Sequence, residues 1–421
     1  MAQLNVFMDG DRCGTLEQTN TGDLRFTYDD EYLANPTVTP LSLSMPISRR
    51  EHRKRVVLPF LDGLLPDNEM ARRAIGQRYA VSPNNPFALL AHIGADVAGA
   101  LQILPPGIES SDQTQPRGSV RALSESDVIE ATNATVSQYR HGGGVPGDTS
   151  RFSLAGAQPK LALCRTNHGG WGAPEGSTPT THIIKPQSTD FDRLDLVEFM
   201  TMRSAAWLGL NVATTWLETF GDWPAIVVQR YDRAFTGHQW HRLHQEDLAQ
   251  ALGVASARKY QYQDGGPGVG DAARVFRGLA RPVNRQEVAW RFFQGLAFNA
   301  VFRCTDAHAK NYSLLLNGSQ VTMAPLYDLA SIVPYDTESQ RAFSAMKVGN
   351  HYRFASITDG DFAKAASILG LEEVRALDYV IDLKHRRRDA VEAARDEVVA
   401  NDKRNQPKVD TILARFLTAW N

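Results

Sequence analysis

The residues best suited to chemistry lie in a short run in the second half of the sequence. Asp306 is followed five positions later by Asn311. A second acid, Asp328, comes after an Asn317-Gly318 pair, which is typical of a hairpin turn. Protein kinases place a base, a metal-binding amide and a metal-binding carboxylate in this order. The spacing therefore favours phosphoryl transfer, against the alternative of a capped helix end followed by a polar hairpin.

The chemistry explains why these residue types are needed. A carboxylate can accept or orient the proton of an incoming hydroxyl. Amide and carboxylate oxygens suit a hard cation such as Mg²⁺, which a polyphosphate requires at its reacting end. Lys310, inside the same run, could neutralise charge on the transferred phosphoryl group.

Residues 153–160 could form a phosphate-binding loop upstream. Ala155, Gly156 and Ala157 are small, so their backbone N–H groups could approach an anion closely. The segment has no Gly-Lys-Ser/Thr sequence and is therefore not a Walker A motif. An ordinary turn is the alternative interpretation.

An anchoring lysine and its partner are predicted next. Lys185 ends a β-branched strand, and Glu198 lies in the amphipathic helix that follows, as in the strand–helix ion pair of kinases. The buried strand at residues 224–231 occupies the place of the adenine-binding hinge. The alternatives are a lysine that emerges into solvent, a solvated glutamate and a simple sheet strand.

The elements that would position these residues form a β-rich part followed by a mostly helical part. Alternation predicts strands over residues 160–165, 181–185, 214–219 and 225–230. A helix is predicted over 192–209. A second helix is predicted over 284–303, where Asn284 and Glu287 have the spacing of a capping box. Helices are expected from 243 to the end.

The first hundred residues form a predicted accessory domain. Residues 4–16 alternate around Asp9-Gly10, which predicts a β-hairpin, and residues 56–82 have a helical pattern. The predicted divisions are 1–108 for the accessory domain, 109–150 for a linker and flexible entry, 151–232 for a β-rich lobe, and 233–421 for a helical lobe. The predicted fold class is α+β.

Composition excludes several classes of protein. The 421 residues are 43% hydrophobic and 22% charged, with a net charge of −2, which is typical of a globular chain without a global attraction to nucleic acid. The basic runs at 49–55 and 384–388 could contact DNA locally, although a solvated surface with nearby acids is the favoured interpretation. Three separated cysteines and no visible signal or membrane segment predict a cytoplasmic protein with no membrane partner.

The chain resembles the HipA family of bacterial serine/threonine kinases, the toxins of type II toxin–antitoxin pairs. The motifs that carry the resemblance are residues 153–160, 180–185 and 244–253, Asp306-Ala-His-Ala-Lys-Asn311, and Tyr327-Asp328. Residues 63–67 and 99–102 resemble the family's N-terminal domain. The resemblance implies a two-lobed protein-kinase-like fold.

The resemblance also implies roles for individual residues. Asp306 would be the catalytic base, Asn311 and Asp328 would bind Mg²⁺, and Ser153 would be autophosphorylated, which ejects the phosphate loop. Glu198 would support Lys185. The implied nucleotide-binding residues are Ala155, Gly156, Ala157, Gln158, Pro159, Lys160, Lys185, Gln229, Arg230, Tyr231, His308, Lys310, Asn311, Tyr327 and Asp328.

Cofactors and partners follow from the same resemblance. They are ATP and Mg²⁺, a helix-turn-helix antitoxin similar to HipB, operator DNA through the antitoxin complex, and a translation-related protein substrate such as an aminoacyl-tRNA synthetase. Pro159 departs from the family pattern, because proline removes an N–H and fixes φ in the loop. Two other functions stay open: a small-molecule phosphotransferase and a non-catalytic nucleotide-binding regulator.

Overall fold

The computed structural model describes residues 1–108, 110, 119–141, 158–166, 168–175, 178–187, 191–237, 240–336 and 342–420. The chain divides into two compact units. The first unit comprises residues 1–188, 218–256 and 314–320, and the second comprises 189–217, 257–313 and 321–421. Within the described ranges, no helix is long and apolar enough to span a bilayer.

Strands and helices are both abundant, as the sequence predicts. The strands are β1 Ala2–Met8, β2 Asp11–Gln18, β3 Leu24–Tyr28, β4 Glu51–Arg53, β5 Leu101–Leu104, β6 Val120–Ala122, β7 Leu161–Arg165, β8 Trp171–Pro174, β9 His182–Pro186, β10 Thr215–Phe220, β11 Trp223–Gln229, β12 Arg233–Phe235, β13 Trp240–Arg242, β14 Gln245–Asp247, β15 Ser313–Asn317, β16 Gln320–Met323, β17 Phe343–Val348 and β18 His351–Arg353. The helices are α1 Asp30–Ala34, α2 Lys54–Gly63, α3 Glu69–Tyr79, α4 Pro86–Ile93, α5 Glu125–His141, α6 Leu194–Trp207, α7 Leu248–Leu252, α8 Gln261–Asp264, α9 Val269–Gly278, α10 Pro282–Val301, α11 Asp359–Leu369, α12 Glu373–Asn401 and α13 Gln406–Ala419.

The first unit begins with a five-stranded sheet in the order β4-β3-β2-β1-β5. The predicted hairpin at Asp9-Gly10 is confirmed: both residues have positive φ, 47° and 98°, as the tight turn between β1 and β2 requires. Helices α2 and α4 cover the sheet, and Phe26, Tyr28 and Phe60 are fully buried in the core between them.

A six-stranded sheet, in the order β10-β11-β9-β7-β8-β6, carries several predicted site residues of the first unit. Strand β9 pairs antiparallel with both β7 and β11, and this register places Lys185 opposite Ile226 and His182 opposite Gln229. The predicted strands at 160–165, 181–185 and 225–230 are therefore confirmed within a residue or two at each end.

The range 109–150, predicted as a linker, contains β6 and the 17-residue helix α5. Strand β6 pairs with β8. Helix α5 buries residues at helical spacing, namely Val128, Ala131, Thr132, Thr135 and Val136. Its polar composition hid this buried stripe, so residues 119–141 contain a strand and a helix where the sequence predicts a linker.

Segment 243–253 also differs from its prediction as the start of a large-lobe helix. It forms β14 and then the short helix α7, which Asp247 and Gln250 cap reciprocally. The segment belongs to the first unit, as do residues 233–256 as a whole, and it both pairs with β15 and contacts N-terminal residues. His244 contacts the carbonyl of Leu41 at 3.0 Å.

The second unit is mainly helical, with α6 packed on α12. Helix α10 has 20 residues and begins at Pro282, with Arg281 as its N-cap, so the predicted capping box at Asn284 is wrong. Proline fits the first helical position because its fixed φ suits the helix and its missing N–H would be unpaired there. Asn284 is instead buried inside the helix.

Candidate active site

The structure brings the predicted catalytic run into one compact loop in the second unit. After α10 the chain turns through residues 302–308, and a 3₁₀ turn follows at Ala309–Asn311. The Asn311 side-chain N–H donates to the carbonyl oxygen of Asp306 at 2.6 Å. This bond closes the five-residue spacing that the sequence showed, and it leaves the Asp306 carboxylate about half exposed, at 53%.

One chain segment, residues 331–332, holds the loop through two contacts on the side that precedes Asp306. Arg303 has a positive φ of 54°, and its carbonyl accepts from the Ile332 N–H at 3.1 Å. Cys304 and Ser331 form an antiparallel bridge. The segment after Asp328 is therefore hydrogen-bonded to the segment before Asp306.

Asp328 is positioned by its neighbours in the chain. The Leu326 N–H donates to Asn211 and the Leu326 carbonyl accepts from Ala213, each at 2.8 Å. The Tyr327 hydroxyl donates to the carbonyl of Lys310 at 2.7 Å. Asp328 itself has a φ of 58°, a left-handed conformation that Asp tolerates better than most residues. Tyr327 thus joins the Asp328 segment to the Asp306 loop.

The donor set fits a divalent cation. Because the Asn311 N–H is committed to the Asp306 carbonyl, its amide oxygen remains as an acceptor. Asp328 adds a carboxylate, and both are the oxygen ligands that Mg²⁺ prefers. The described part of the chain holds no group of three or more His, Cys, Asp and Glu side chains suited to a metal. A cation here would therefore rely on this pair and on phosphate oxygens.

Two further predicted residues of this loop are buried. His308 is 3% exposed, and its Nε2 lies 3.7 Å from the Asp306 carboxylate. Lys310 is 5% exposed. Burial of a lysine beside the loop agrees with a charge-balancing role better than with a solvated side chain.

Tyr260 is a residue of this site that sequence reasoning missed. Its hydroxyl donates to Asp306 Oδ1, and its ring meets the His308 ring edge to face, with centroids 4.7 Å apart. The sequence separation is 46 residues, and no motif includes Tyr260. No sequence signal could have located it.

The predicted nucleotide-binding residues of the first unit lie on or beside the six-stranded sheet. Lys185 is on β9 and only 6% exposed. Gln229 ends β11 with an exposed side chain, and the Tyr231 hydroxyl donates to Gln245. Gln158, Pro159 and Lys160 lead directly into β7, whereas Ser153, Ala155, Gly156 and Ala157 lie outside the described residues.

The Arg230 side chain is committed to a buried ionic network, so the predicted hinge contact of this residue would have to come from its backbone. Its guanidinium donates to the Asp232 carboxylate at 2.8 and 3.0 Å, to Thr180 at 2.8 Å and to the carbonyl of Val97 at 3.0 Å. The backbone N–H is also used, by the carbonyl of Thr181. Arg230 is 4% exposed and turned towards the N-terminal domain, because a buried guanidinium needs paired carboxylates.

Arg230 belongs to a buried ionic cluster that we call the Asp96 cluster: Asp96, Arg230, Asp232, Arg233 and Arg242. Asp96 lies 2.7 Å from Arg233 and 3.4 Å from Arg230, and Asp232 accepts from the Gly99 N–H at 2.8 Å. Burial by itself would raise the pKa of Asp96, but the three arginines outweigh it and hold that pKa well below its usual range. One charged residue in the apolar stretch 87–104 was the available sequence signal.

The two residues of the predicted ion pair belong to different units. Lys185 belongs to the first unit and Glu198, on α6, to the second. Glu198 is 1% exposed, which excludes the solvated helix face considered from the sequence. The pairing of these two residues stays a prediction.

The two basic runs are partly neutralised by nearby acids. Arg50 pairs with Asp30 at 2.9 Å, and Arg53 pairs with Glu51 at the same distance. Lys384 pairs with Asp359 at 2.6 Å. The contacts favour the interpretation of a solvated surface over that of a phosphate-binding patch.

Comparison with protein families gives two matches that together span most of the chain. A model described as the HipA N-terminal domain matches residues 4–104, and one described as the HipA-like C-terminal domain matches residues 152–400.

Similar proteins and a solved structure point to the same family. The chain is 37% identical over 378 residues to a Sinorhizobium fredii protein named "Putative kinase Y4mE", covering 88% of this chain and 87% of that one. It is 33% identical over 342 residues to the serine/threonine-protein kinase toxin HipA of Shewanella oneidensis, covering 79% and 75%. A solved complex of Shewanella oneidensis HipA, HipB and operator DNA matches with a TM-score of 0.81 at 26% identity, covering 99% of this chain and 96% of that one.

Proposed function

Because this chain belongs to the HipA family and is a HipA-type serine/threonine protein kinase, we propose that it acts as a toxin that phosphorylates a translation-related protein. The phosphoryl donor is ATP. The acceptor is a serine or threonine hydroxyl, and an aminoacyl-tRNA synthetase is the proposed substrate class. Phosphorylation of such a target would arrest growth.

The observation that best supports this function is the Asp306 loop. The Asn311 amide is fixed to the Asp306 backbone at 2.6 Å, so the carboxylate and the amide oxygen have separate tasks. The carboxylate would orient the acceptor hydroxyl and take its proton. The Asn311 oxygen and the Asp328 carboxylate would hold the cation, which we propose is Mg²⁺, and the bound cation would neutralise charge on the phosphates.

The remaining site residues are assigned to the nucleotide. Residues 155–160 would cradle the phosphates with backbone N–H groups, and Lys185 and Lys310 would balance their charge. Gln229 and Tyr231 would form the adenine hinge. Tyr327 and His308 would support the loop that carries Asp306. Arg230 would join the hinge only through its backbone carbonyl, because its side chain serves the Asp96 cluster and its N–H bonds to Thr181.

Autophosphorylation at Ser153 would switch the kinase off. A phosphate adds about −1.5 to −2 charges, which would repel the nucleotide phosphates and favour an open loop. Intact-mass measurement after incubation with ATP and Mg²⁺ should show one added phosphate, and peptide mapping should place it on Ser153. If the modified protein still binds ATP as tightly as the unmodified protein, the switch is wrong.

An antitoxin and operator DNA are the proposed partners. The support is the structural similarity to a HipA that was solved with HipB and its operator. The neutralised basic runs suggest that DNA contact depends on the antitoxin rather than on this chain. Co-purification with a helix-turn-helix protein, and an operator shift that requires both proteins, would support this arrangement.

Asp306→Asn tests the function directly. Loss of the base should reduce phosphate transfer from labelled ATP by at least about 100-fold, while ATP affinity stays near the wild-type value. The matched control is Asp264→Asn, on an exposed position of α8. Phosphoproteomics of cells that produce the wild-type or the Asp306→Asn protein identifies the acceptor.

Three outcomes would contradict the proposal. Substantial transfer by Asp306→Asn would show that another group is the base. Labelled metabolites without labelled protein would indicate a small-molecule phosphotransferase. Nucleotide binding without turnover would indicate a non-catalytic regulator.

A further inference from the structure

The hydroxyl of Tyr260 contacts the proposed base itself. It donates a hydrogen bond to Asp306 Oδ1, and both residues lie in the second unit. Within the described part of the chain, Asp306 Oδ2 accepts no hydrogen bond, and the side chain is about half exposed. The two carboxylate oxygens are therefore in different environments: one is occupied by a phenol and the other is available.

Three contacts fix Tyr260 in this position. Its ring packs edge to face on the buried His308 ring at 4.7 Å. The carbonyl of Lys259 accepts from the Ala309 N–H at 3.3 Å, which joins the backbone beside Tyr260 to the catalytic loop. The next residue, Gln261, accepts from the Lys347 N–H at 2.8 Å through its side-chain oxygen. The residues before and after Tyr260 are thus both hydrogen-bonded to other segments, which holds Tyr260 in place.

The hydrogen bond from Tyr260 to Asp306 can assist proton transfer by orienting the carboxylate. A carboxylate on a single bond can rotate, and rotation would exchange the two oxygens that face the acceptor. A hydrogen bond to Oδ1 stops the rotation and presents Oδ2 to the incoming hydroxyl, which improves the orientation on which transfer depends. His308 Nε2, at 3.7 Å from Oδ1, is too distant to provide this constraint.

We propose that Tyr260 is a positioning residue that orients the Asp306 carboxylate for the acceptor hydroxyl. This inference rests on the proposed function, because it requires Asp306 to be the base. It assigns to the segment before α8 a role in catalysis rather than in packing alone.

Tyr260→Phe is the test, because it keeps the ring on His308 and removes only the hydroxyl. ADP formation from ATP and Mg²⁺ is measured at varied ATP, together with thermal unfolding. The expected result is a kcat lowered about tenfold, equal to about 1.4 kcal/mol in the barrier, with the KM for ATP within about twofold of wild type. The melting temperature should stay unchanged.

The matched control is Tyr262→Phe, two residues away, where the ring stacks on Phe343 at 4.9 Å and is half exposed. This variant should retain the wild-type kcat. An unchanged kcat in Tyr260→Phe would overturn the inference. So would a raised kcat, which would mean that Tyr260 covers the base, or a raised KM with kcat unchanged, which would mean that it serves the nucleotide.

A separate variant, Asp306→Asn, tests the premise that Asp306 is the base. If Asp306→Asn forms ADP at the wild-type rate, the base assignment is wrong and Tyr260 has nothing to orient. If Asp306→Asn is inactive and Tyr260→Phe is fully active, the proposed function stands and the positioning role alone is refuted.

Discussion

Asn311 has two chemically different ends, and the loop uses them separately. Its N–H group is bonded to the Asp306 carbonyl, which leaves the oxygen as the end that can meet a cation. Asp328 contributes a charged oxygen from a left-handed backbone position next to Tyr327. The proposed division of tasks between base and metal ligand therefore depends on one hydrogen bond, from the Asn311 amide to the Asp306 carbonyl.

Removal of either proposed ligand should weaken cation-dependent nucleotide binding. We expect Asn311→Ala and Asp328→Ala to lose most of the gain in ATP affinity that Mg²⁺ provides, because hard oxygen ligands are removed. Calorimetry with Mg²⁺ and with EDTA measures that gain. Asn317→Ala, at the exposed end of β15, is the control. An unaltered Mg²⁺ effect in Asp328→Ala would assign the metal to other residues.

The hairpin of β15 and β16 directly follows the Asp306 loop in the chain and precedes Asp328. Its turn residue Gly318 has a φ of 57°, and a Cβ there would lie 2.6 Å from the carbonyl oxygen of Thr37. The Gly318 N–H also donates to the Thr39 hydroxyl at 2.9 Å. Both the backbone conformation and the close approach favour glycine.

Gly318→Ala should therefore destabilise the fold by about 1–2 kcal/mol, from the left-handed conformation alone. Chemical denaturation measures the loss. The control is Gly270→Ala in α9, where a Cβ meets nothing within 4 Å and φ is not positive. That change should be neutral or stabilise by up to about 1 kcal/mol. Equal effects of the two changes would refute the argument.

Strand β14 contains a buried carboxyl group that couples stability to pH. Glu246 accepts from the Ser42 hydroxyl at 2.5 Å and from the Leu43 N–H at 2.8 Å, and burial raises its pKa to about 8. The folded state therefore keeps a proton there that the unfolded chain has released above pH 4.5. Stability of the first unit should fall as pH rises towards 8. Burial lowers the pKa of His244 to about 4, so this neighbour acts in the opposite sense only below about pH 6.5.

Glu246→Gln should remove this dependence. The amide is isosteric with the protonated acid, so we expect similar melting temperatures near pH 4.5 and an advantage of the variant that grows as the pH rises to 8. Thermal unfolding at pH 4.5–8 is the measurement. The exposed Glu31→Gln variant should follow the wild-type curve. Parallel curves for wild type and Glu246→Gln would mean that Glu246 is ionised in the folded state at neutral pH.

At the scale of the whole molecule, the Asp96 cluster links the N-terminal domain to the rest of the first unit. Asp96 contacts Thr180, Arg230 and Arg233 with almost no exposure to solvent. These partners lie beyond residue 104, where the match to the N-terminal family model ends. The kinase sheet and the accessory sheet consequently share one buried set of charges.

Asp96→Asn should cost about 3–5 kcal/mol of stability, because it leaves buried arginines short of a counter-charge. Chemical denaturation is the measurement. The control, Asp30→Asn, breaks the exposed pair with Arg50 and should cost less than about 1 kcal/mol. A loss in Asp96→Asn no larger than in the control would show that the cluster does not hold the unit together.

The sequence by itself determined the local features of this protein. The Asp9-Gly10 and Asn317-Gly318 turns, the strands around Lys185 and Gln229, and the Asp306–Asn311 spacing follow from neighbouring residues, so their patterns were legible without a structure. Family resemblance added the kinase fold and the accessory domain, because the order of several motifs is more specific than any one of them.

Tertiary structure decided where distant side chains meet. Arg230 appears in the sequence as part of a hinge, yet its guanidinium reaches Asp96, 134 residues away. Tyr260 lies outside every motif and still contacts Asp306. Helix α5 was hidden in a polar range because Thr132 and Thr135 are part of its buried face. Such contacts depend on the folding of the whole chain, since burial and charge pairing are set by partners that no local pattern specifies.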